Sequence, residues 1–155
     1  MIKIKSRTVA ALSLAAAVFA GGVAATAAPA VAVPVTAPVH AAAPGTGELQ
    51  SKMQLALDPN GPRGARANEL EAGEAGLPLL DQVGGVMASV PGFQWQAVEP
   101  VTVQGDTLTH NLQINVPGFD AMFIELKWKD IDGTWKLSRE SECSIAYYAN
   151  LPCTV

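Results

Sequence analysis

The sequence predicts an α+β domain: two helices packed on one face of a four-stranded antiparallel meander sheet. Three observations carry this. Apolar residues recur at helical spacing near residues 46–57 and again near 77–90. From Phe93 onward the period changes to two and holds to the end of "TWKLSR". Short turn signals, "QGD", "VPGF" and "DIDG", separate the alternating runs. A hairpin-connected sheet with one apolar face and two preceding amphipathic helices is solved by laying the helices on that face.

The chain of 155 residues has length for one domain, and its first third reads differently from the rest. "MIKIKSRTVAALSLAAAVFAGGVAATAAPAVA" has a basic start at Lys3, Lys5 and Arg7, an apolar stretch from Val9 to Ala20, then small residues. That is the layout of a secretory signal peptide, assigned to residues 1–32. Small-x-small sites end at Ala27, Ala30 and Ala32. The alternative is an uncleaved anchor, but the apolar run falls short of the ~20 residues that span a bilayer. There is no twin arginine, and no cysteine near the cleavage region for a lipid anchor. Residues 33–46, "VPVTAPVHAAAPGT", are Pro/Ala-rich and nearly uncharged, as expected of an extended tether. His40 in that stretch is read as incidental. The folded domain is assigned to residues 47–155.

Removing the leader takes three of the ten Lys and Arg residues and none of the fourteen acids, leaving a net charge of about −7. An acidic surface gains nothing from counterion release on nucleic acid and is repelled by anionic lipid. Neither is an expected partner, and no stable membrane anchor is expected after cleavage.

"TGELQSKMQLAL" places Leu49, Met53, Ala56 and Leu57 on one helical face. "DPNGP" ends this helix, because a residue before proline is pushed out of the helical region. "NGPRGARANELEAGEAG" is expected to be a surface loop, with one turn at "ANELEA". The second helix should start near Leu77 or Pro78 and bury Leu80, Val83, Met87 and Val90, with Leu79 and Val86 at the edges. Gly84 and Gly85 each weaken it by roughly 1 kcal/mol and are read as allowing close packing on the sheet. Phe93, Trp95 and Ala97 then alternate with glutamines, and Pro100 marks a bulge or an edge. In the next run Leu108, His110, Leu112 and Ile114 share the apolar face. Pairing Leu112 with Ile124 and Leu108 with Trp128 matches it to Met122, Ile124, Leu126 and Trp128, and sets His110 beside Leu126. In the last strand Trp135 and Leu137 face inward, and strict alternation brings Arg139 after them.

Two cysteines remain, Cys143 and Cys153. In an exported chain the pair favours a disulfide over a redox or metal pair, since the spacing is not C-x-x-C and no histidine is near. His110 reads either as a base or ligand donor inside a cone, or as a hydrogen-bonded histidine at the core's rim, with Asp120 and Glu142 as acids the sequence does not place. Arg139 has three readings: its stem on apolar surface with its head in water, a pair with a buried acid such as Glu99 or Asp81, or an anion ligand lining a cavity with His110. Trp95, Trp128 and Trp135 serve core packing unless exposed for stacking, and Trp128 joins His110 and Arg139 in the candidate pocket. "DIDG" lacks the rest of a calcium loop. No cofactor and no metal are expected.

"LALDPNGPRGARANELEAG" and "DGTWKLSRES" resemble the low-molecular-weight secreted antigen family of mycobacteria and related actinobacteria, over roughly Glu48 to Ser141. The W-x-L-S-R run is also similar to the closing strand of the cystatin-like, cone-shaped group that includes nuclear transport factor 2-like and SnoaL-like proteins. The resemblance implies an exported or wall-associated antigen without established catalytic residues. The two cysteines depart from the family's plain helical tail. The expectation is therefore an exported, non-enzymatic accessory or binding domain, whose partner is another exported or cell-envelope protein. The alternative is a SnoaL-like small-ligand binder or enzyme with a cone pocket lined by His110 and Arg139.

Overall fold

The computed structural model describes residues 42–155; the expected leader and residues 33–41 of the expected tether lie outside the described residues. Helix α1 spans Thr46–Leu57 and buries Leu49, Met53, Ala56 and Leu57, the face its spacing predicts. It ends at Asp58, whose carboxylate accepts from the Asn60 N–H at 2.9 Å. Helix α3 spans Leu77–Ser89, with Pro78 in its first turn where a missing N–H costs nothing. It buries Leu77, Leu79, Leu80 and Val83. Met87 and Val90 are only partly covered.

Strands β1 (Gln94–Gln104), β2 (Thr107–Asn115), β3 (Met122–Ile131) and β4 (Thr134–Leu137) form an antiparallel meander in sequence order. Leu112 pairs with Ile124, Leu108 with Trp128 and His110 with Leu126, the register that matches one apolar face to the next. β1 is an edge strand, and its register shifts between Val98 and Thr102, around Pro100. Its Ala97 N–H is taken up by the Gln50 side chain of α1 at 2.7 Å.

Three expectations are corrected. The segment after α1 is not a plain loop. It holds helix α2 (Arg63–Asn68) and a 3-10 turn (Gly73–Gly76), and between them it docks on β4. The Leu137 N–H donates to the Glu69 carbonyl at 2.7 Å, and the Glu71 N–H to the Leu137 carbonyl at 2.9 Å. A six-residue helix is too short to show a periodic stripe, and this one is held by tertiary contacts. Gly84 permits close approach to α1 rather than to the sheet: a Cβ there would stand 3.3 Å from the Leu57 carbonyl.

The third correction concerns Arg139. The last strand stops at Leu137, and Ser138 caps a fourth helix, α4 (Arg139–Tyr148), its hydroxyl accepting from the Ser141 N–H. Arg139 is the first residue of that helix and is exposed. It does not follow Trp135 and Leu137 onto the apolar face. Glu140 and Glu142 in the first turn suit the positive end of the helix. The cap also seals the free edge of β3: the Lys127 N–H donates to Ser141 Oγ at 2.7 Å, and the Lys127 carbonyl accepts from the Ser138 N–H at 3.0 Å. Cys143 within α4 and Cys153 in the tail beyond it form a disulfide. Among the described residues there are thus four α-helices rather than two, and one apolar core joins α1, α3 and α4 to the sheet. Among the described residues no helix is long and apolar enough to cross a membrane.

Candidate functional site

The interface between helices and sheet has two unlike ends. At one end stand His110 and Trp128, both on the helix-covered face. They are diagonal neighbours across β2 and β3, with ring centroids 6.3 Å apart, and both are buried. His110 Nδ1 lies 2.9 Å from the Asn111 carbonyl, so the proton sits on Nδ1 and Nε2 is the bare nitrogen. Burial holds the imidazole pKa below its ordinary value, against weaker support from the Asn111 carbonyl and Glu99. The ring is therefore neutral at pH 7. Lys52 of α1 reaches over the Trp128 ring, its Nζ 5.9 Å from the centroid, and forms an ion pair with Glu69. The result is a closed polar cluster inside the core. Arg139 is not part of it, and the expected pocket of His110 with Arg139 is not assembled. The Arg139 side chain leaves toward solvent, while its backbone N–H donates to the Glu71 carboxylate at 2.9 Å.

A buried guanidinium does exist, but it belongs to Arg66 of α2. Arg66 is 4% exposed. Its Nε and Nη2 donate to the Ala56 carbonyl at 3.2 and 3.1 Å, and Nη2 also pairs with Asp81 of α3. Asp81, one of the acids considered for Arg139, is thus the partner of a different arginine. One fork ties α2 to the C-terminal turn of α1 and to α3. A faint sign of it stands in "RGARAN", which places two arginines in a segment otherwise lacking an apolar face.

Glu142 is the second buried charge that sequence reasoning left unplaced. It is wholly buried. One carboxyl oxygen accepts from the Ala72 N–H at 3.1 Å; the other has no hydrogen-bond partner among the described residues. Gly76 makes the room, since a Cβ there would come within 2.5 Å of Glu142 Oε2. Desolvation pushes the carboxyl up to about 7, with Glu71 adding to the rise and the Ala72 N–H and Arg139 opposing it. Glu142 is not the partner of His110, whose ring nitrogen turns to backbone.

At the other end the sandwich is open. A cavity of about 190 Å³ lies between the C-terminal half of α3, the sheet and the end of α4. Val86, Met87, Ile114, Ile124, Ile145 and Ala149 line much of it. Tyr148 contributes the one side-chain hydroxyl. Neither His110, Trp128 nor Arg139 lines it. A shallower apolar recess of about 310 Å³, lined by Val116, Phe119, Asp120 and Met122, shares Val116 and Met122 with it. Among the described residues no group of three or more His, Cys, Asp or Glu side chains has the arrangement of a metal site.

Fold and site together define the class: a small α+β domain in which helices cover one face of a four-stranded meander, closed by a polar cluster at one end and holding an apolar cavity at the other. The sequence model for the C-terminal domain of the low molecular weight antigen MTB12 matches residues 42–153. The chain belongs to this family. A comparison with curated proteins finds no match.

Proposed function

We propose that the protein is an exported, non-enzymatic accessory domain of the low-molecular-weight antigen type, held at its point of exit by a Pro/Ala tether, and that it works by binding. One observation carries this reading. The cavity between helices and sheet has almost wholly apolar walls and no carboxylate, imidazole, lysine, arginine or thiol, whereas His110 is packed into the core and Arg139 stands in solvent. General acid–base chemistry needs a titratable group within hydrogen-bond reach of bound substrate, and that cavity supplies only a tyrosine hydroxyl. The alternative, a SnoaL-like enzyme using His110 and Arg139, loses its second residue to α4. Membership of the antigen family and the acidic chain left after leader removal support an exported protein whose partner is a neutral molecule or another envelope protein. Mass spectrometry of culture medium tests export: the expected result is a mature N-terminus between about Ala28 and Val33. Full-length chain found only in the cytoplasm would overturn the reading.

A further inference from the structure

We propose that the apolar cavity beneath α3 is a binding site for one neutral, unbranched aliphatic chain. This deepens the binding-domain reading. Its test reads the cavity, while the export test reads the N-terminus, so the two fail separately. The size of the cavity sets the occupant. About 190 Å³ holds roughly six methylene-sized groups at about 30 Å³ each, the share of one water in the liquid. The shape continues outward: through Val116 and Met122 the cavity runs into the recess beside Phe119. Met122 is 44% exposed and Phe119 78%. A longer chain leaves the interior along that apolar strip rather than through polar surface. Exposed large apolar side chains gathered at the mouth of a cavity are a feature of ligand sites.

Charge selects the head group. Asp120 is the one charged residue lining either recess, and the chain beyond its leader is strongly acidic. A carboxylate at the mouth meets repulsion with no cation lining the recesses to offset it. A hydroxyl, ester or glycoside head meets none, and the Tyr148 hydroxyl can hydrogen-bond to it. The same acidity disfavours docking on an anionic lipid surface, so the ligand is a chain that enters singly.

Titration of the full chain with straight-chain alcohols from butan-1-ol to decan-1-ol, read from the methyl resonances of Val86, Ile114, Ile124 and Ile145, tests this. Affinity should rise about fourfold for each added methylene, the equivalent of 0.8 kcal/mol per CH₂. The slope should break near six carbons, where the inner cavity is full. Octanoate at pH 7 should bind at least tenfold more weakly than octan-1-ol. Ala149→Phe fills the cavity from the residue that follows α4 and should abolish the shifts while leaving the melting temperature unchanged or higher. If that variant fails to fold, Val86→Phe fills the same space from α3. Flat affinity across the alcohol series, octanoate binding as well as octanol, or full binding by a folded cavity-filled variant would each overturn the proposal. So would two results without alcohol. The same methyl shifts on concentrating the protein would make a second copy the occupant. Their appearance on deleting residues 33–41 would make the tether the occupant.

Discussion

The two ends of the helix–sheet interface are built from opposite materials. At the closed end, Lys52 with Glu69 and Arg66 with Asp81 tie separate elements together, while His110 bonds the Asn111 carbonyl of its own strand and its Nε2 and the Trp128 indole N–H are buried without a hydrogen-bond partner among the described residues. At the open end, Val86, Met87, Ile114 and Ile124 surround a cavity that no side chain of the described residues fills. Ion-paired groups in a core demand partners at set distances, so the two pairs restrict how the closed end can pack. Aliphatic groups demand only exclusion of water, so the open end admits a guest of about the right volume. The fold places its ion pairs and its empty apolar space at different addresses.

The same substitution should cost very different amounts in filled core and at the cavity. Met53, beside Lys52 on α1, is wholly buried and does not line the cavity, while Met87 lines it and is partly covered. Met53→Ala should cost roughly 2–5 kcal/mol of unfolding free energy, as a filled site leaves a new void. Met87→Ala enlarges a space that is already open and should cost about 1 kcal/mol or less. Urea denaturation measures both. Equal losses would mean that the cavity end is as tightly packed as the other and that the contrast is false.

Glu142 is a buried charge with one carboxyl oxygen left without a hydrogen-bond partner among the described residues. Its folded pKa, about 7, lies above the ordinary 4.5. For a group raised on folding, the unfolded chain releases its proton first as pH rises. Its contribution is therefore fully present below pH 4.5 and lost by the time pH passes 7. At 1.36 kcal/mol per pH unit the swing is roughly 3 kcal/mol. Glu142→Gln keeps the shape and removes the titration. The variant should match the wild type near pH 4.5 and exceed it by about 3 kcal/mol near pH 8. Parallel pH–stability profiles for the two proteins would show that the buried carboxyl is accommodated as an anion after all.

The smallest expected effect belongs to Arg139. Because it is exposed at the start of α4, Arg139→Met should change stability by no more than about 0.5 kcal/mol. A melting curve decides it. A loss of several kcal/mol would mean that its charge holds Glu142 in place and that the closed end extends to the helix start.

Much of the fold was legible along the chain. Period-two alternation from Phe93 gave the strands, and matching apolar faces gave the pairing of Leu108, Leu112 and His110 with Trp128, Ile124 and Leu126. Leu49, Met53 and Leu80, Val83 gave the buried faces of α1 and α3. Alternation misled only at Arg139, where a capping signal competed with it. Ser138 followed by Glu140 and Glu142 is a helix start, and it outweighed one more step of strand because the β3 edge needed the Ser138 and Ser141 groups. The candidate site was less legible. His110 and Trp128 were correctly put on one face, but their other neighbours, Lys52 and Glu69, come from α1 and the end of α2.

By itself the sequence determined which faces are apolar, the order of the strands, the register of β2 with β3, the cysteine pair and the acidity of the domain. These follow from spacing and composition, which are local. Only the tertiary structure decided that Arg66 rather than Arg139 is the buried arginine, that Glu142 sits beneath Gly76, and that the sandwich leaves an apolar cavity between α3 and α4. Each depends on the distance between elements far apart in the chain. A residue's period says which way it faces, but not how much space remains when it gets there.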